Sequence, residues 1–99
     1  MKAFLIDPVS KMIEPINLSG EVAQLKTLLD AKAVEFDTLV GSEDRLCFDE
    51  DCFITQKPGR FQLDTLAPVA GRGLVLGAEG QDVSINQASL ATRIKFSAD

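Results

Sequence analysis

The 99-residue sequence contains no histidine, tyrosine or tryptophan, and only two cysteines, Cys47 and Cys52. Without histidine, it has no side chain that ordinarily titrates near neutral pH, no imidazole metal ligand and no histidine-activated nucleophile. We therefore expect a protein that is not an enzyme, with no catalytic residues, no cofactor and no metal. Chemistry based on carboxylates or a lysine stays open as an alternative.

Long apolar runs are also absent. No stretch approaches the roughly 20 apolar residues that a membrane span requires, and residues 1–7 are too short for a secretory signal. These absences predict a cytoplasmic protein that does not associate with membranes. In that reducing compartment we expect Cys47 and Cys52 to be free thiols. Their positions on either side of residues 48–51 also permit a disulfide across a hairpin.

The net charge of −5 is concentrated in one segment of the chain. Residues 35–51 hold seven acidic residues against one basic residue, Arg45, whereas the rest of the chain is close to neutral. A surface of this kind repels nucleic-acid phosphates and attracts basic proteins. We therefore predict no nucleic-acid binding, and an accessory or regulatory role in which an acidic face binds a basic protein partner. The residues assigned to that face are Glu43, Asp44, Asp49, Glu50 and Asp51.

Two other interpretations of these acids stay open. They can be solvated hairpin loops whose charges protect the edges of a sheet. They can also bind a divalent cation, although the alternating aspartates and final glutamate of a calcium loop are missing.

Gly71, Arg72 and Gly73 form a second candidate site, just before the apolar residues 74–76. The pattern predicts a tight turn that leads into a buried central strand. Main-chain N–H groups and the Arg72 guanidinium could bind an anion or another small ligand there. The spacing is not that of a phosphate loop, and a turn with positive φ explains the glycines equally well.

The apolar pattern along the chain predicts a single α+β domain over residues 1–99, with a mostly antiparallel sheet of about five to six strands. A main amphipathic helix over residues 20–30, capped by Ser19, is expected to pack on one face of the sheet through Val22, Leu25, Leu28 and Leu29. Its expected contacts are Phe4, Ile6 and residues 74–76.

Local signals place the other elements. Pro15 places the strand over residues 12–16 at a sheet edge or ends its pairing there, because proline has no N–H to donate. Further strands are expected over residues 34–39, 45–48, 52–55 and 61–63. Near the end of the chain, a short helix capped by Ser84 or Asn86 and a closing strand over residues 94–96 are alternatives. A sheet edge also allows the chain to form a homo-oligomer.

Residues 1–8 and 66–77, together with the acidic turn between two strands in the middle of the chain, resemble a family of short proteins of unknown function. These proteins are found in phages, other mobile elements and bacteria. The resemblance implies a compact α+β domain with an accessory role, and it supplies no reaction, cofactor or catalytic residue.

Overall fold

The computed structural model describes residues 1–97, which form eight strands and two helices. In chain order these are β1 (Lys2–Asp7), β2 (Met12–Asn17), α1 (Val22–Leu29), β3 (Val34–Thr38), β4 (Arg45–Asp49), β5 (Arg60–Leu63), β6 (Val69–Ala70), β7 (Gly73–Leu76), α2 (Gln87–Arg93) and β8 (Ile94–Ser97). All strand pairs are antiparallel, which confirms the predicted α+β class. The strands form two sheets, of five and three strands, where a single sheet was predicted.

The five-stranded sheet has the order β2-β1-β7-β4-β3. Its middle strand, β7, is completely buried, as the apolar residues 74–76 predict. β2 is an edge strand in which Pro15 lies opposite Phe4 and pairing continues to Asn17, so the first of the two alternatives predicted from the proline is confirmed. The β1–β2 turn is held by the Asp7 carboxylate, which accepts a hydrogen bond from the Val9 N–H at 3.0 Å.

Helix α1 differs from its prediction in extent, capping and contacts. It begins after Glu21, which makes no side-chain cap, while the Ser19 hydroxyl accepts from the Glu21 N–H outside the helix. Leu25 and Leu29 are buried, but Val22 at the start of the helix is exposed. Because a second helix of similar length is present, a single main helix packed on one face is not confirmed.

Each face of the five-stranded sheet covers a separate apolar core. Leu25 and Leu29 pack with buried residues of β1, β4 and β7, which are Ala3, Cys47, Leu74 and Leu76. Phe4, Ile6 and Val75, which were expected to contact the helix, point to the other face. There they pack with Leu46, Phe48, Phe61, Leu63, Val69, Leu90 and Ile94, which come from β4, the second sheet and α2.

Two other predictions are corrected. Residues 52–55 form turns where a strand was expected, because the Thr55 N–H donates to the Asp51 carbonyl at 2.9 Å and closes a local turn. The helix and the strand predicted as alternatives near the end of the chain are both present, as α2 and β8. Asn86 caps α2, since its side chain accepts from the Ser89 N–H.

Candidate functional site

Asp44, one of the five residues assigned to the acidic face, is buried and has a structural role. The residue is only 2% exposed. The carboxylate accepts hydrogen bonds from the Ser84 N–H at 2.9 Å, the Ser84 hydroxyl at 2.7 Å and the Ile85 N–H at 3.0 Å. These bonds join the turn before β4 to the loop before α2, so this carboxylate is not available at the surface.

Asp49 is also buried, at 3% exposure. Its carboxylate lies 3.3 Å from the Lys57 Nζ and accepts from the Asp51 N–H at 2.9 Å. The same Lys57 ammonium donates to the main-chain carbonyls of Leu29 and Asp30, where α1 ends. Positive charge is favourable at a helix C-terminus, so Lys57 joins α1, β4 and the turn after β4 at one point.

The remaining acids of the segment lie at the surface. Residues 33–51, which contain β3 and β4, are called here the acidic hairpin, and its surface acids are Glu35, Asp37, Glu43, Glu50 and Asp51. All are exposed except Asp37, which is half-buried. Within residues 1–97, no cationic group lies within 4.0 Å of any of these five carboxylates. Their negative charge is therefore not neutralised within the described part of the molecule.

The hairpin spreads these acids along one side of the sheet. β3 is an edge strand that carries Glu35 and Asp37 opposite Phe48 and Leu46 of β4. Glu43 lies in the turn that joins the two strands. At the other end of β4, the Glu50 N–H donates to the Ala33 carbonyl just before β3, and Asp51 follows. The five residues of β4 separate these ends by about 13 Å at 3.3 Å per residue, so the acids form a band along β3.

The two glycines of the second candidate site are explained by packing. Gly71 has a φ of +80°, and a Cβ there would meet the Lys57 side chain at 2.9 Å. A Cβ on Gly73 would lie 2.5 Å from the Phe61 ring. Gly71 thus allows the turn between β6 and β7, and Gly73 lets the two sheets approach each other.

Arg72, between these glycines, is exposed at the rim of a cleft of about 300 Å³. The cleft is lined by Asp7, Val9, Leu29, Asp30, Lys57, Pro58, Gly71 and Arg72. The Lys57 ammonium is already bound to two carbonyls and the Asp49 carboxylate, which leaves the Arg72 guanidinium to meet a ligand. Binding of an anion or small ligand at residues 71–73 stays a prediction.

The candidate sites lie at two ends of the five-stranded sheet. Gly73 pairs with both Ile6 and Phe48, so the turn containing Arg72 lies at the same end as Glu50 and Asp51. Glu43 and Asp44 lie at the opposite end, before β4 begins. The structure therefore brings part of the acidic segment close to the glycine turn and separates the other part from it.

Both cysteines are free and buried, and they do not lie opposite each other across a hairpin. Burial raises the pKa of the Cys47 thiol to about 12, so it is protonated and unreactive at neutral pH. The Cys52 sulfur accepts from the Ala70 N–H at 3.4 Å and packs in the core between the sheets.

Lys57 and Phe36 are important to the site but were not singled out from the sequence. Lys57 precedes Pro58 and Gly59, a turn signal, and nothing near it in the chain indicates that it meets α1, which ends 28 residues earlier. Phe36 is 39% exposed on β3, with the Arg45 guanidinium 4.8 Å from the centre of its ring.

No protein-family model matches the chain, and no curated protein or solved structure matches it. The resemblance of residues 1–8 and 66–77 to a phage and bacterial family thus stays a prediction. In residues 1–97, no group of three or more acidic or cysteine side chains is placed to hold a metal ion. Neither helix in that range is long and apolar enough to cross a membrane.

Proposed function

We propose that this chain is a small interaction protein whose acidic hairpin binds a basic segment of a protein partner. One observation carries the proposal: two of the five surface acids lie on the edge strand β3, the other three lie in the turns at the ends of β4, and no described cation neutralises them. Unpaired charges of one sign attract an oppositely charged partner and guide its approach. The proposed binding residues are Glu35, Asp37, Glu43, Glu50 and Asp51.

The buried acids support this role from inside the fold. Asp44 and Asp49 fix the two ends of β4 through hydrogen bonds and the Lys57 ion pair. A surface that is already ordered loses less conformational entropy when a partner binds. The acidic segment thus combines two kinds of carboxylate, one that holds the hairpin in place and one that stays free.

The proposal keeps two further expectations from the sequence. They are a cytoplasmic location and an accessory role of the kind implied by the phage and bacterial resemblance. Both are compatible with a chain of this size that acts by binding another protein.

Charge reversal tests the proposal directly. The probe is an eight-residue peptide of alternating lysine and valine, labelled for fluorescence anisotropy. Replacing Glu43→Lys and Glu50→Lys together is expected to weaken its binding about tenfold, because two attractions become repulsions. Raising the salt from about 0.05 M to about 0.5 M should weaken binding to the unchanged protein in the same direction.

A matched control carries Glu14→Lys and Glu21→Lys, which reverse two exposed glutamates outside the hairpin and give the same net charge. The control should bind the peptide nearly as well as the unchanged protein. Equal loss in both double variants would mean that only net charge matters. That result, or no binding by the unchanged protein, would reject the acidic hairpin as the site.

A further inference from the structure

We propose that the basic segment binds as an added antiparallel strand beside β3, which extends the five-stranded sheet. This inference rests on the proposed function and specifies its geometry. An exposed sheet edge carries main-chain donors and acceptors that an extended peptide can pair with. Only alternate residues of β3 can turn these main-chain groups away from β4.

The hydrogen bonds at both ends of the hairpin show which residues of β3 have their main chain facing β4. The Leu39 N–H donates to the Asp44 carbonyl at 2.9 Å, and the Glu50 N–H donates to the Ala33 carbonyl at 3.1 Å. In an antiparallel pair, hydrogen-bonded and non-hydrogen-bonded positions alternate. Residues 33, 35, 37 and 39 therefore face β4 with their main chain. Val34, Phe36 and Thr38 direct their N–H and carbonyl groups away from the sheet.

The two faces of β3 define the chemistry of the added strand. Glu35 and Asp37 lie on one face, and neither is paired with a described cation. Partner residues on that face should be lysine or arginine, since opposite charges on neighbouring strands attract.

The other face of β3 favours apolar partner residues. The exposed Phe36 ring borders a groove of about 430 Å³, whose apolar lining includes Val22, Leu25 and Leu76. Arg45 and Glu79, one of each charge, also line this groove, so its preference is set by the apolar residues. An added strand with basic and apolar residues in alternation satisfies both faces at once, because successive side chains of a strand point to opposite sides.

A second copy of this chain is a poorer occupant of the same edge. If two β3 strands paired in antiparallel fashion around Phe36, Glu35 of one copy would lie opposite Asp37 of the other. Like charges directly opposite each other on neighbouring strands are destabilising. The charge pattern of β3 therefore favours a basic partner over self-association.

Two N-methylated versions of the alternating lysine–valine peptide test the strand geometry. In an antiparallel pairing, the peptide residues whose main chain bonds to Val34, Phe36 and Thr38 have their side chains on the same face as Phe36. That face favours apolar side chains, so these residues are the valines, and their N–H groups point toward the protein. Methyl groups on the valine nitrogens should weaken binding about tenfold or more, because each removes a donor and adds bulk at the edge. The same number of methyl groups on the lysine nitrogens, which point to solvent, should change binding less than about threefold.

A change in the protein provides an independent test. Thr38→Pro removes one outward N–H from β3, and Asp37 before it is already extended, as a residue before proline prefers. The matched control, Thr38→Val, keeps the N–H and a β-branched side chain. We expect the proline variant to bind the peptide about tenfold more weakly than the valine variant. Thermal unfolding of both variants shows whether each is folded at the temperature of the measurement.

The outcomes separate the inference from the proposed function. If charge reversal in the hairpin weakens binding but both methylated peptides bind alike, the acidic site stands and strand addition is wrong. If methylation on lysine is the damaging change, the partner is not antiparallel. If Thr38→Pro is folded and binds as well as Thr38→Val, pairing with β3 is rejected at that position. Self-association of the protein without peptide, seen in sedimentation and lost in Thr38→Pro but not in Thr38→Val, would instead assign the edge to a second copy.

Discussion

The two edges of the five-stranded sheet are protected in different ways. At the β2 edge, Leu18 and Met1 exchange hydrogen bonds, so the main chain of Leu18 faces β1. Because positions that face β1 alternate with positions that face outward, the outward-facing residues of β2 are Ile13, Pro15 and Asn17. Pro15 has no N–H, and the Ile13 carbonyl accepts from the Gln87 side chain at 2.6 Å. At the β3 edge, no proline or side chain of the described residues occupies the outward groups of Val34, Phe36 and Thr38.

This difference shows what each edge permits. Proline and a capped carbonyl leave β2 fewer main-chain groups to pair with a strand of any charge. Charge alone guards β3, and charge discriminates between partners: it repels another acidic strand and attracts a basic one. The β3 edge is therefore protected against self-association while it stays accessible to the partner proposed above.

The largest expected effect comes from removing the support of the β3 edge. Asp44→Ala should lower the free energy of unfolding by about 2–4 kcal/mol, because it leaves the Ser84 and Ile85 N–H groups without their charged acceptor. Urea unfolding followed by circular dichroism measures the change.

The neighbouring surface acid provides the control for Asp44. Glu43→Ala should alter the free energy of unfolding by less than about 0.5 kcal/mol, since Glu43 is exposed. Similar values for the two variants would contradict the division of the acidic segment into buried and free carboxylates.

A smaller effect is expected from opening the β2 edge. Pro15→Val restores an outward N–H, and a main-chain hydrogen bond contributes roughly 0.5–1.5 kcal/mol, so self-association should strengthen by about 2- to 10-fold. Sedimentation velocity over a range of concentrations measures this change.

Glu14→Val is the matched control for the β2 edge. It adds the same side chain to the same strand, but the main chain of Glu14 faces β1 and offers no new outward donor. If both variants self-associate equally, apolar surface and not the edge N–H is responsible, and the β2 edge is not closed in the way described.

The sequence predicted those features of this comparison that depend on one residue type. A missing N–H is a property of proline wherever it stands, so Pro15 indicated, without knowledge of its neighbours, that the strand lies at an edge or stops pairing there. The apolar residues 74–76 indicated a central strand for a similar reason, because they have few polar groups to expose.

The division of the acids could not be predicted, because it depends on distant partners. Asp44 is buried only because Ser84 and Ile85, about 40 residues later, bring their N–H groups to it. The composition of residues 52–55 favours a strand. The Asp49 carboxylate instead accepts from the Asp51 N–H and starts a turn, and such local bonds compete with strand pairing.

The smallest expected effect is a pH dependence of the free energy of unfolding. It concerns the contact of Arg93 with the hairpin turn, which adds to the contact of Asp44 with Ser84 and Ile85. Arg93 donates one hydrogen bond to the Val40 carbonyl at 3.1 Å and others to the Asp64 carboxylate. The hydrogen bonding from Arg93 to Asp64 lowers the pKa of Asp64 below its ordinary value of 3.8. A carboxyl group with a lowered pKa stabilises the folded state at pH values above its ordinary pKa, and this contribution is lost as the pH falls through its folded pKa. The stability difference between the unchanged protein and Asp64→Asn should therefore be constant from about pH 5 to 8 and shrink below about pH 4. Urea midpoints measured from pH 3 to 8 test this, and a difference that grows on acidification would contradict the Asp64–Arg93 attachment.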